Sequence, residues 1–212
     1  MTKKLGPGIC WDLVDVPMRS EARPTGRRVR ALTILWQVGD YSPRSPAYDV
    51  AQPLEADLKE ARTVYEAAGG QDGLLRLAQA WHARVLADEV VSHAFSHGFH
   101  PDHTGRLAAY WAEALGGPAA YSSRLGDETF VIRLHSGEGE HEEMDQRAIE
   151  CFGRALEDVG LAEDETLGRV LHEYFAWATT NMAMYPESAD DVPANLEIPL
   201  WSWDGPIEKP RP

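Results

Sequence analysis

From residue 53 onward, apolar positions recur at the three- and four-residue spacing of an amphipathic helix with one face turned inward. Residues 54–68 carry Leu54, Leu58, Ala61, Val64, Tyr65 and Ala68 on that spacing, and Gly69 and Gly70 stop the run. A second helix is predicted over 72–87, with Leu74, Leu75, Leu77, Ala78, Trp81, Val85 and Leu86 inward. Asp102 or Thr104 caps a third that runs to Leu115. Gly116, Gly117 and Pro118 end it, since glycine permits a left-handed turn and proline cannot continue a helix. Two more follow: 141–159, with Ala148, Ile149, Phe152 and Leu156 inward, and 163–182, with Leu167, Val170, Leu171, Tyr174, Phe175, Ala178 and Met182. Between the third helix and these two, 119–140 shows no helical period. A stretch that long without structure is unusual inside a compact domain, so something should occupy the space it surrounds.

The pattern divides the chain into three parts. Residues 1–52 are rich in Pro, Gly and Arg and contain one strand-like run from Ala31 to Val38, followed by turn-prone residues 39–46. They read as an N-terminal extension, an extended arm. Its arginines Arg23, Arg27, Arg28 and Arg30 form the chain's basic patch, expected to lie against the acidic body. Residues 53–187 form an all-α domain. Residues 188–212 are an irregular tail in which Trp201 and Trp203 are expected to pack back on the body. No repeat of 20–50 residues is visible, so a solenoid is excluded.

Composition narrows the function classes. The chain has 212 residues, is 43% hydrophobic and has a formal net charge of -14. An acidic surface repels phosphate backbones and anionic lipid, which argues against nucleic-acid or membrane-surface binding. No apolar run approaches the length of a membrane span, and the first twenty residues lack the apolar stretch of a secretory signal. Two cysteines, Cys10 and Cys151, make neither a disulfide framework nor a cysteine-based metal site. The expected setting is the cytoplasm.

Histidine is the conspicuous chemistry. Of the chain's 8 histidines, His93, His97, His100 and His103 fall within residues 92–103. Zinc is often held by histidines at such spacings, but Gly98 and Pro101 break the helix and no Glu stands between the first pair. A haem pocket needs a neutral imidazole below the ring, apolar walls, cations or hydroxyls for its propionates, and a donor above. His135 lies in the unpatterned centre, after the apolar run Val131 to Leu134 and before Gly137 and Gly139. A solvated polar corner is the third possibility for the cluster, and an ordinary half-buried histidine the simplest reading of His135.

Several short motifs occur together, in order. They are Tyr65 with Gly69 and Gly70; Ala80, Trp81 and His82; Asp88 with Glu89; Gly116, Gly117 and Pro118 with Tyr121; and Arg133 with His135. Weaker than these is Trp201, Ser202 and Trp203 in the tail. In this order and spacing, over roughly 60–205, the chain resembles a truncated haemoglobin, a two-over-two globin of the second subgroup. The resemblance implies a helical sandwich around haem b, with His135 as the proximal iron ligand and so the metal-binding residue. It implies haem contacts from Trp81, Phe95, Leu107 and Ala148, and propionate partners in Arg106, Tyr121 and Arg133. His82 and His103 fall at the two distal positions, and His93, His97 and His100 are expected in solvent.

Two positions depart from the family's pattern. His82 stands where tyrosine is usual, and Ala148 (or Arg147, with a one-residue shift) where the second subgroup usually carries tryptophan. Both changes remove donors that commonly clamp bound oxygen, and imidazoles replace them. Imidazole exchanges protons near neutral pH, which suits general acid–base chemistry. The expected function is therefore a haem-dependent oxidative enzyme, with His82 and His103 catalytic, acting with peroxide, O2 or NO on a small organic or nitrogenous substrate. The alternative is a carrier or sensor of O2, NO or CO. No dinucleotide fingerprint is visible, so electrons should come from a separate reductase or from peroxide. For the extension, a cover over the pocket, a homodimer contact and neither of these stay open.

Overall fold

The computed structural model describes residues 62–207. The predicted arm, its strand-like run, Cys10 and the first part of the 54–68 helix lie outside those residues. Within them the fold is all-α apart from one small hairpin.

Six helices follow in order: α1 (Val64–Ala67), α2 (Gly70–Ala87), α3 (His103–Ala114), α4 (Glu128–Leu134), α5 (Glu142–Asp158) and α6 (Glu165–Met182). A 3-10 turn at Val91–Phe95 links α2 to the segment before α3, and another at Ala189–Asp191 follows α6. Strands β1 (Trp201–Ser202) and β2 (Gly205–Pro206) pair antiparallel. α2 packs on α3, α5 packs on α6, and α2 on α5 joins the two pairs.

Local chemistry sets the helix ends. The Thr63 hydroxyl accepts from the Glu66 N–H at 3.1 Å while the Glu66 carboxylate accepts from the Thr63 N–H at 3.0 Å, a reciprocal cap on α1. Asp164 caps α6 by accepting from Thr166 and Leu167. Asp102 stands at the head of α3 but its side chain makes no capping bond. After α3 the chain turns at Gly116, whose φ is +90°. A Cβ on Gly117 would lie 2.8 Å from the Tyr65 ring and 2.7 Å from the Ala112 carbonyl, so only glycine lets Tyr65 lie there. Two of the motifs noted above, Tyr65 and the paired glycines, thus meet in space.

The core is aromatic. Phe152 and Phe175 stack at 4.1 Å, with Trp81 and Trp111 edge-on around them. Each buried ring contributes about 1.5–3 kcal/mol by leaving water. Trp81 Nε1 donates to the Ala148 carbonyl at 3.1 Å, so α2 and α5 are joined by a polar bond inside that apolar contact.

The segment 119–140 contains a helix, α4, where the sequence pattern shows none. Seven residues are too few to display a period, and the contiguous Phe130, Val131 and Ile132 mark no single helical face. The helix is started by Asp127, whose carboxylate accepts from the Phe130 N–H at 2.8 Å. The chain beyond α6 holds it in place. Thr129 donates to the Pro193 carbonyl and accepts from the Leu196 N–H, and the Gly137 and Gly139 amides donate to Tyr185 and Pro186. Farther along, Trp201 is buried against Tyr174 and Trp177, and Trp203 Nε1 donates to the Arg62 carbonyl at 2.6 Å.

Candidate functional site

α3 and α4 face each other across a narrow apolar seam. His103, Leu107 and Tyr110 line it from α3, Val131, Leu134 and His135 from α4, and Met182 from the end of α6. Its volume is about 20 Å³. A larger cavity, about 440 Å³, lies elsewhere, between Glu113, Glu128 and the segment Leu196 to Leu200. It contains no imidazole, so the seam is the better candidate for holding a metal-bearing group.

His135 closes α4. A helix leaves its last carbonyls without internal partners. Two side chains take them here: Ser136 Oγ donates to Ile132 O at 2.7 Å, and His135 Nδ1 bonds Val131 O at 2.7 Å. A carbonyl has no proton to give, so Nδ1 carries the hydrogen and Nε2 carries the lone pair. Nε2 is sealed from solvent. Burial pushes the imidazole down to about pKa 4, only partly opposed by the Val131 bond. A neutral ring with a fixed tautomer and an unprotonated Nε2 is what an iron ligand requires. Gly137 and Gly139, at φ of +83° and +85°, turn the chain away behind it.

The opposite side is built from rings. His82 lies 4.9 Å from His103, 5.3 Å from Phe95 and 4.6 Å from Phe99, and the last two and His103 are within 6.0 Å of one another. His103 is 2% exposed and His82 9%. Burial lowers the His82 pKa, and its Nε2 has no hydrogen-bond partner among the described residues. His93 and His97 are exposed, while His100 Nδ1 accepts from the Asp102 N–H within the turn. Among the described residues no group of three or more His, Cys, Asp or Glu is arranged to hold a metal ion, so the zinc reading of the cluster has no site.

The other expected residues distribute differently. Leu107 lines the seam and Phe95 the ring cluster. Trp81 points into the aromatic core, and Ala148 is buried beneath it. Arg147 turns outward to hold Asp88 at 3.0 Å, which makes Ala148 the inward member of that pair. Arg106 is buried and donates to the Leu125 carbonyl at 3.0 Å. It stands close enough to Tyr121 to oppose the rise that burial imposes on that phenol. Arg133 is on the surface.

Four lining residues escaped the sequence reading. Tyr110 was accessible to it, because 103, 107 and 110 share one helical face. Leu134 and Val131 adjoin His135 on a helix the pattern did not reveal. Met182 was read only as core.

The sequence model of the bacterial-like globin family matches residues 63–180. A comparison with curated proteins finds no match. Among solved structures, the fold is similar to the haemoglobin of Chloroflexus aurantiacus, at 26% identity and a TM-score of 0.50, covering 57% of this chain and 97% of that one. It is also similar to the group II truncated haemoglobin of Bacillus anthracis, at 19% identity and a TM-score of 0.52, covering 59% and 93%. The second likeness concerns the fold alone. No described helix is long and apolar enough to cross a membrane. The family match spans more than half of the chain, which therefore has a globin fold and belongs to the bacterial-like globin family, whose members bind haem.

Proposed function

We propose that the seam between α3 and α4 holds haem b through His135, and that the protein is a haem-dependent oxidative enzyme acting with peroxide, O2 or NO on a small substrate. The observation that carries this is the His135 imidazole, fixed by Val131 with Nε2 free of a proton. Leu107, Val131, Leu134 and Met182 supply the apolar walls that a porphyrin face requires. At about 20 Å³ the seam admits a macrocycle only if α3 and α4 stand farther apart. Arg106 and Tyr121, and Arg133 at the surface, are the propionate partners. When bound, haem supplies a redox-active iron and a coordination position for diatomic ligands or peroxide.

The distal residues define the chemistry. His82 and His103 lie ring to ring in a dry environment. Burial keeps His82 neutral at pH 7, so the ring can accept a proton and return it. Phe95 and Phe99 stand edge-on against His82. With O2, electrons come from a separate reductase; peroxide already carries two electrons more than O2 and needs no reductase.

A second reading, a ligand-binding globin without turnover, is favoured by the tight ring packing around His82, which leaves little room for anything larger than a diatomic. Absorption spectra of the haem-supplied protein, ferric and ferrous, with and without cyanide or CO, test the site. A Soret band that responds to both ligands and is lost in His135→Ala is expected; a colourless protein overturns the haem reading. Replacing both His82 and His103 by Leu should leave that band and abolish peroxide-dependent oxidation of a phenolic dye. Undiminished oxidation in the double variant would remove His82 and His103 as the proton-exchanging pair, and no oxidation in wild type would leave the carrier reading.

A further inference from the structure

One polar bond runs directly between the two walls of the seam. Tyr110, on α3, donates its hydroxyl to Glu128 Oε2, on α4, at 2.7 Å. Both residues are buried, 3% and 4% exposed. The Tyr110 ring lines the seam, while Glu128 lines the 440 Å³ outer cavity and a second one beside Asn181 and Tyr185. The Glu128 carboxyl is therefore one phenol away from the seam on one side and open to proton exchange on the other.

The groups facing Glu128 do not neutralise it. α3 presents Tyr110 and Glu113, whose carboxylate is taken by the Tyr121 and Ser122 amides. The turn before α4 presents Tyr121 and Asp127, α6 presents Tyr174, and the tail presents Glu197. No cation pairs with Glu128 among the described residues; Arg106, which acts on Tyr121, is engaged by the Leu125 carbonyl. Burial pushes the Glu128 carboxyl up to about 7; the Tyr110 bond opposes the rise and Asp127 adds to it. A buried carboxyl without a counter-charge responds strongly to any new charge nearby, because little water screens the interaction.

We propose that the Tyr110–Glu128 pair is a redox-linked proton site, in which Glu128 gains a proton from the outer cavity when the iron gains an electron and releases it when the electron leaves. The inference rests on the reading that the seam holds haem. The balance is simple: a one-electron reductant supplies the electron, solvent supplies the proton, and the one bond formed is the carboxyl O–H. The sign follows from charge. Ionised Glu128 disfavours adding an electron, so the midpoint potential falls as pH rises through about 7. Tyr110 is a positioning residue that favours the carboxylate by donating to it.

The test is the midpoint potential of the full haem-loaded chain, followed by absorption from pH 5.5 to 9. Wild type should show a potential that falls across pH 6–8, Glu128→Gln should lose that slope, and Tyr110→Phe should move the inflection to higher pH. A Glu128→Gln slope equal to wild type overturns the proposal and passes the linkage to His82 or His103. A Soret band recorded beforehand separates this outcome from failure of the haem reading, with which the proposal also falls. Carbon-13 titration of glutamate carboxyls in the haem-free chain gives a second measurement. A resonance titrating near 7 and missing in Glu128→Gln supports the pair; all carboxyls titrating in the usual range overturn it.

Discussion

The two walls of the seam hold their imidazoles by different means. On α4, His135 is fixed by a hydrogen bond to its own helix, which sets the tautomer and the direction of the lone pair. Opposite, His82 and His103 are held by edge contacts with Phe95 and Phe99, and His82 Nε2 finds no hydrogen-bond partner among the described residues. A hydrogen bond specifies one geometry, whereas ring packing specifies a volume and tolerates rotation within it. The α4 wall is built to bind one fixed group and the other to accommodate a changing one.

The largest effect should come from breaking the fixed wall. His135→Gly should lose the Soret band on gel filtration, and added imidazole should restore it, which His135→Leu cannot match. Restoration shows that the ring, rather than the fold around it, makes the bond. A band undiminished in both variants would remove His135 as the ligand.

The next largest effect is acid sensitivity of the same wall. The folded His135 pKa is near 4 against 6.5 unfolded. Above 6.5 neither state binds the proton. As pH falls from 6.5 to 4 the unfolded chain takes it up and the folded chain does not, so stability drops by up to about 3 kcal/mol. Glu128 acts in the opposite sense, its contribution being full below 4.5 and lost as pH rises to about 7. Urea unfolding of the haem-free chain at pH 4.5 and 6.5 separates them. Relative to wild type, His135→Leu should flatten the acid loss and Glu128→Gln should steepen it.

How much of this the sequence discloses depends on element length and on which force places each residue. The long helices α2, α5 and α6 declare themselves because each buries one face over three or more turns, whereas α3, buried nearly all round, is marked by its ends, Asp102 or Thr104 at its start and Gly116, Gly117 and Pro118 after it. α4 does not: it is seven residues long, with adjacent β-branched Val131 and Ile132, and is held by Pro193, Leu196, Tyr185 and Pro186 from far along the chain. His135 could be singled out only through the resemblance and the glycines after it. His82 and His103 were distal candidates only through the resemblance, which puts them at its two distal positions. The Tyr110–Glu128 bond was invisible, since residues 18 apart meet only once α3 and α4 are placed.

On the ring-packed wall, His82→Leu should be stabilising. It exchanges a buried imidazole lacking a hydrogen bond for an apolar side chain, and the haem-free chain should gain about 1 kcal/mol against urea. A loss of more than that would show that His82 is hydrogen-bonded in solution. The haem-loaded variant should release O2 faster than wild type, because the ligand loses a donor.

Phe99 gives the smallest change in stability and the clearest view of access. It is 40% exposed, stands edge-on to His82 at 4.6 Å, and follows Gly98, which has open space where a Cβ would point. Half-exposed rings contribute little burial, so Phe99→Ala should cost less than about 1 kcal/mol. Yet the ring stands edge-on against His82. If the first wall is the adaptable one, removing Phe99 should raise the CO association rate several-fold after flash photolysis and leave the Soret maximum unmoved. An unchanged rate with a shifted maximum would mean that Phe99 supports the proximal bond instead, and the division between a fixed wall and an adaptable one would fail.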